Sequence, residues 1–88
     1  MKVEFRRSFV RDLQKISEKN VRQRVQQVIE QVETASVLDE IPNLIKLKGE
    51  GDYYRIRVGT YRIGIKMEQG IVIFVRCLHR RDIYRYFP

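Results

Sequence analysis

The sequence predicts an α+β domain: an N-terminal strand, a two-helix hairpin, then three or more antiparallel strands with the helices packed on one face. Two observations carry most of this. Val21, Val25, Val28 and Val32 recur at helical spacing, with Ile29 widening the stripe. Arg22, Gln23, Arg24, Gln26, Gln27, Glu30 and Gln31 fill the other side, which describes a helix with one buried face. Further on, YYRIRVGTYRIGI (53–65) alternates apolar and polar residues around Gly59–Thr60, a two-residue turn with glycine first.

The remaining elements follow in chain order. KVEF (2–5) is short and β-compatible, a first strand. Ser8 is placed to cap a helix in which Phe9, Leu13 and Ile16 share one side. Glu18 to Asn20 interrupt it, and Asn20 is the candidate cap of the valine-striped helix, making an αα-hairpin. Ser36 to Asn43 reads as a loop around Pro42, and Leu44–Lys48 as a short extended piece. Gly49, Gly51 and Asp52 punctuate the chain before the strands at 53–58, 61–67 and 71–78. No repeat, linker or low-complexity segment divides it, so residues 1–88 form a single domain.

Composition narrows the setting. No apolar run approaches the ~20 residues of a membrane helix, and MKVEFRRSF lacks the apolar centre of a secretory signal. The single cysteine, Cys77, allows no internal disulfide and fits a reducing cytoplasm. The formal charge is +7, and it is unevenly spread. Residues 1–52 hold ten basic and nine acidic side chains; residues 53–88 hold eight and two, and seven of those eight are arginine. A planar guanidinium suits phosphate better than a point charge does. The excess therefore points to RNA, DNA or an acidic protein, against the plainer account of a solubilising surface.

Register decides whether the arginines form a site. If Val58 pairs with Tyr61, Arg57 faces Arg62 and Arg55 faces Gly64. If Met67 pairs with Ile71 across a three-residue loop, Arg62 also faces Arg76. Side chains alternate between faces. One face then collects Tyr61, Ile63, Ile65, Met67, Ile71, Ile73, Val75 and Cys77 as core. The other collects Arg55, Arg57, Arg62, Lys66 and Arg76, with Val72 and Phe74 as its apolar part. Opposed arginines cost roughly a few tenths to 1 kcal/mol per pair, and no acidic residue on these strands offsets that. An anion-binding face explains the pattern.

HRRDIYRY (79–86) extends the basic run. Histidine as a residue type titrates near neutrality, so His79 is a candidate proton carrier, as is the phenol of Tyr84. Arg80 and Arg81 are suited to stabilising developing negative charge. Other chemistries find little support. Cys77 and His79 share a strand face, but an apolar strand marks Cys77 as a core residue. One His and one Cys make no zinc site, and Gly49–Glu50–Gly51 lacks the length and lysine of a phosphate loop.

KLKG (46–49), YYRIRVGTYRIGI (53–65), IVIFV (71–75) and HRRDIY (79–84) together resemble the RelE-type toxins of the RelE/ParE toxin–antitoxin superfamily. With the preceding strand and helix pair, the resemblance covers nearly the whole chain. It implies a cytoplasmic, ribosome-dependent endoribonuclease, an mRNA interferase that needs no metal or cofactor. In that chemistry the ribose 2′-hydroxyl attacks the adjacent phosphate, leaving a cyclic phosphate and a free 5′-hydroxyl. The implied catalytic residues are Arg57, Arg62, Arg81 (with Arg80 as the alternative) and Tyr84, with His79 a further proton carrier. Arg55 and Arg80 are phosphate contacts on the same grounds, and the register reading adds Arg76 and Lys66.

Arg55 and Arg57 stand where the best-known member has lysines. Arginine holds phosphate but donates protons poorly, because its pKa lies above about 12. The implied partners are an acidic antitoxin in a hetero-oligomer, the ribosome and messenger RNA, with no membrane. The alternatives are a ParE-like inhibitor of DNA gyrase without ribonuclease activity, and a nucleic-acid-binding module without catalysis.

Overall fold

A computed structural model describes all 88 residues. The elements are β1 (Lys2–Phe5), α1 (Arg7–Gln14), α2 (Lys19–Thr34), β2 (Leu44–Lys46), β3 (Tyr53–Val58), β4 (Tyr61–Glu68), β5 (Ile71–His79) and α3 (Ile83–Tyr86). A short 3-10 turn, Leu38–Glu40, lies in the loop before β2. Five strands form one sheet in the order β1-β5-β4-β3-β2. All neighbours are antiparallel except β1 and β5, which run parallel. The sheet is therefore mixed, and the α+β class stands. No helix is long and apolar enough to cross a membrane.

The main core lies between the sheet and α1 and α2. Phe9 comes from α1 and Ile16 from just beyond its end, and Val25, Ile29 and Val32 from the valine-striped face of α2. They meet Ile56, Val58, Ile63, Ile65, Val72, Phe74 and Cys77 of the sheet. The rings of Phe5, Phe9 and Phe74 pack with centroids 5.3–5.8 Å apart, which locks β1, α1 and β5 together.

Neither serine nor asparagine caps the helices as expected. Arg6 and Glu18 occupy the N-cap positions, without side-chain cap bonds. Ser8 has another task. β1 pairs with β5 only as far as Phe5 opposite Phe74, and α1 then turns away. The next backbone groups on that edge of β5 are satisfied by side chains of α1. Ser8 Oγ donates to the Val75 carbonyl, and the Cys77 N–H donates to Asp12 Oδ2 at 3.0 Å. Positions 8 and 12 lie on one side of a helix, so α1 substitutes for the missing strand. Asp12 also takes a two-pronged bond from Arg76, at 2.7 Å from Nε and 3.0 Å from Nη2.

The second hairpin departs from the expected register. Glu68 pairs with Ile71 across a two-residue Gln69–Gly70 turn, with φ of 52° and 79°. Positive φ at both residues is the turn geometry that matches strand twist. Further along, Gly64 pairs with Arg76 and Ile65 with Phe74, leaving Val75 as an extra residue in a bulge. Both differences move side chains. Val72 and Phe74 enter the main core rather than the arginine face. Ile71, Ile73 and Val75 leave the expected core set, with Ile73 buried outside that cluster. Arg76 faces Gly64, and Arg62 faces Leu78.

Two outcomes are expected from this packing. Asp12→Ala leaves the Cys77 N–H without its acceptor and Arg76 without its counter-ion, costing about 3 kcal/mol in urea unfolding. Burial, then the charge of Asp12, pushes the Cys77 thiol up to about 12. An unfolded chain loses that proton from about pH 8.5 upward while the folded chain keeps it. This contribution to stability is complete below that pH and is lost as pH rises toward 12. Unfolding curves at pH 8 and pH 10.5 should show the decline, reduced in Cys77→Ala.

Candidate active site on the arginine face

The β3–β4 hairpin adopts the expected register: Val58 opposite Tyr61, Arg57 opposite Arg62, Arg55 opposite Gly64. Ile56, Val58, Ile63 and Ile65 point into the core, so alternation sends the three arginines to the far face. Gly59 makes the turn with φ of 60°.

Each arginine is held by a neutral acceptor. Arg62 Nη1 donates to the carbonyls of Gly59 (2.8 Å) and Tyr61 (2.9 Å). Arg57 Nη2 donates to Asn43 Oδ1 at 3.1 Å, and the Arg57 N–H donates to the Asn43 carbonyl at the same distance. Arg55 Nε donates to the Tyr84 hydroxyl at 3.0 Å. The three salt bridges of the molecule, Lys46–Asp52, Lys66–Glu68 and Arg76–Asp12, leave these arginines untouched. Their geometry is fixed while their charge stays unneutralised. Partial burial, then the fields of Arg55 and Arg57, lowers the Arg62 pKa from its ordinary value; Arg80 acts in the same direction and Tyr84 opposes it. Arg55, Arg57, Arg62, Arg80 and Tyr84 thus form one electrostatic neighbourhood.

The C-terminal segment crosses to this face. The Arg80 N–H donates to the Thr60 carbonyl at 2.8 Å, which extends the β4–β5 pairing by one bond. A turn leads into α3, a single turn of helix with Ile83 buried and Tyr84 and Tyr86 exposed. Phe87 follows, 2% exposed, against Gly64 and edge-on to Tyr53 at 5.6 Å between centroids. The two buried residues hold the segment to the sheet, and Tyr84 lies over Arg55.

Other candidate residues lie apart from this cluster. His79 pairs with Tyr61 across the sheet, and their rings meet edge-on at 5.7 Å. It lines a cavity of about 410 Å³ with Asp12, Lys15 and Tyr61, and its Nδ1 accepts the Arg81 N–H at 3.2 Å. Alternation puts it on the helix side of the sheet, away from Arg62. Arg76 is bound to Asp12 and lies 5.7 Å from the Tyr86 ring centroid; the hydrogen bond to Asp12 raises its pKa. Its expected place opposite Arg62 is corrected: the tighter turn and the bulge together shift the register by two, so Arg76 keeps its face but pairs with Gly64 and binds Asp12. Lys66 pairs with Glu68 at 3.1 Å, which raises its pKa. Arg81 is exposed and makes no side-chain hydrogen bond.

Sequence reasoning missed Asn43 and Phe87. Asn43, with φ of 63°, carries a modest signal, since asparagine tolerates the left-handed region better than most residues.

Relief of the Arg57–Arg62 repulsion is measurable. Arg57→Gln should raise stability by ~0.2–0.5 kcal/mol at low salt, and the gain should fade in 1 M salt as screening replaces it. Paired urea titrations at the two salt concentrations test this.

Residues 3–84 match the family described as ParE toxin of type II toxin-antitoxin system, parDE. Toxin RelE3 of Methanocaldococcus jannaschii is 44% identical over 89 residues, covering 100% of both chains. The crystal structure of the RelB–RelE antitoxin–toxin complex from Methanococcus jannaschii contains a chain matching at a TM-score of 0.81 and 42% identity, over 96% of this chain and 98% of that one. The archaeal RelE–RelB complex from Pyrococcus horikoshii OT3 matches at 0.73 and 26% identity, over 90% and 93%. The fold, the arginine hairpin and these similarities agree: the chain is a RelE-type member of the RelE/ParE superfamily of toxins from toxin–antitoxin systems.

Proposed function

We propose that this toxin is a ribosome-dependent endoribonuclease that cleaves messenger RNA. The observation that carries the reading is the Arg55–Arg57–Arg62 cluster with Tyr84, whose three guanidinium groups are oriented by neutral acceptors while Arg80 adds its charge nearby. A structural ion-pair network would place carboxylates among them. A site awaiting a phosphate leaves them out.

The chemistry is transesterification within the RNA. The ribose 2′-oxygen bonds to the adjacent phosphorus as its proton leaves, the bond to the 5′-oxygen breaks, and that oxygen takes up a proton. A 2′,3′-cyclic phosphate and a 5′-hydroxyl result. In this reading Arg57 and Arg62 balance charge on the pentacoordinate phosphate with Arg80 supporting them, and Arg81, whose side chain is exposed and unbonded, reaches the phosphate only once RNA is bound. Arg55 holds phosphate and the Tyr84 hydroxyl together. Tyr84 is the group within this cluster able to carry a proton or stack on a base. His79 faces the other side, so the proton role assigned to it from sequence passes to Tyr84. In this reading the ribosome supplies the substrate's placement.

The partner in this reading is an acidic antitoxin. The relatives of 42% and 26% identity were solved as RelB–RelE complexes, and a net charge of +7 suits an acidic wrap. Antitoxin and RNA then compete for the same cations.

The matching family description names ParE, so gyrase inhibition is the reading to separate. Expression in growing cells followed by transcript-end mapping should reveal cuts in translated messages, with 2′,3′-cyclic ends. Arg62→Ala should reduce cutting by about a hundredfold. Uncut transcripts together with blocked supercoiling by purified gyrase would favour the ParE-type activity instead.

A further inference from the structure

Gly64 raises a question that the hairpin alone leaves unanswered. The other four glycines, 49, 51, 59 and 70, have positive φ; Gly64 does not. It lies within β4, where glycine weakens a strand and often marks the close approach of another group. A Cβ built there would stand 2.7 Å from Cγ and Cδ2 of Phe87 and 2.8 Å from Cδ1. Real Cβ contacts are not that short, and the obstruction is the root of a ring rather than the tip of a flexible chain. Gly64 therefore makes room for Phe87.

The notch sits beside the arginine cluster. Gly64 pairs with Arg55 on one side and Arg76 on the other. Arg55 holds the Tyr84 hydroxyl, and the guanidinium of Arg76 lies over Tyr86. Tyr84 itself is 61% exposed, so packing does not fix it. It is held by one hydrogen bond and by the seat of its segment. That seat has two buried side chains, Ile83 and Phe87, joined by a 2.8 Å bond from the Phe87 N–H to the Ile83 carbonyl. Tyr53 closes the outer side of the Phe87 ring.

We propose that Phe87 is a positioning residue: seated in the notch at Gly64, it sets the height and rotation of the Ile83–Tyr86 turn so that the Tyr84 hydroxyl meets Arg55. The ring need not touch RNA. A residue outside the charged cluster thereby determines whether the phenol and the guanidinium groups act as one unit. Displacements of about 1 Å at a reacting group can reduce rates by about a hundredfold.

The role of Tyr84 in RNA cleavage rests on the function proposed above, so one measurement is made without RNA. Nuclear Overhauser contacts between the Tyr84 ring and Arg55 are compared in wild type, Phe87→Ala, Phe87→Leu and Gly64→Ala, alongside cleavage on programmed ribosomes. Phe87→Ala and Gly64→Ala should each lose the contact while keeping the sheet's circular dichroism. Each should slow cleavage at saturating ribosomes by about tenfold or more, with less than about twofold change in the half-saturating concentration. Phe87→Leu should retain most of both signals, and Gly64→Ala should add nothing in the Phe87→Ala background.

An intact Tyr84–Arg55 contact in Phe87→Ala overturns the proposal, as does additive damage in the double variant. Loss of the whole sheet in both single variants also overturns it, because Phe87 is then a general core residue. If the contact is lost as expected but even wild type cuts no RNA, the positioning role stands and the ribonuclease reading falls.

Discussion

The carboxylate of Asp12 meets β5 where β1 no longer covers it. Three donors converge there: the Cys77 N–H and two nitrogens of Arg76. The group is 6% exposed, and an unpaired charge at that depth is strongly unfavourable. α1 must therefore cross β5 at one height, with Arg76 bound to Asp12. The tighter turn and the bulge at Val75 together shift the pairing of β5 with β4, so that Gly64 faces Arg76 and its bare backbone opens beneath Phe87. Helix docking, strand register and the seat of the C-terminal segment are linked through this carboxylate.

The hairpin beyond it carries a local conflict. Arg57 and Arg62 oppose each other with no carboxylate between them, while Ile56, Val58, Ile63 and Ile65 bury themselves beneath. Apolar burial contributes on the order of 1.5–3 kcal/mol per large side chain, which outweighs a repulsion of a few tenths. The strands stay paired because of the face that no ligand sees. Features at odds with local stability tend to collect where a protein works, and here the conflict is confined to one hairpin face.

Much of the architecture was legible because two signals were unambiguous. A valine stripe at helical spacing permits one buried face, and a two-residue turn at Gly59–Thr60 permits one register for β3 and β4. The second hairpin was harder. Gln69 takes a left-handed conformation that its residue type does not advertise, and a bulge has no sequence mark when the inserted residue is another valine. The turn shifted Val72 and Phe74 to the other face, and turn and bulge together moved Arg76 from Arg62 to Gly64 on the same face. The helix starts misled for a similar reason: Ser8 is a plausible cap, but a backbone carbonyl of β5 claims it instead. At the site, Arg55, Arg57 and Arg62 could be placed together from alternation. The arrival of Tyr84 over Arg55 depended on a C-terminal turn whose anchor, Phe87, looks from sequence like any terminal hydrophobe.

The way the sheet ends has its own consequence. Its border strands, β1 and β2, are only four and three residues long, and Lys2, Glu4 and Lys46 stand on them. Where β1 stops, Ser8 and Asp12 already occupy the exposed backbone of β5. A stranger's β-strand finds little template on either border. The molecule can leave a large unneutralised cationic patch open to solvent without also offering its own copies a long edge to stack against.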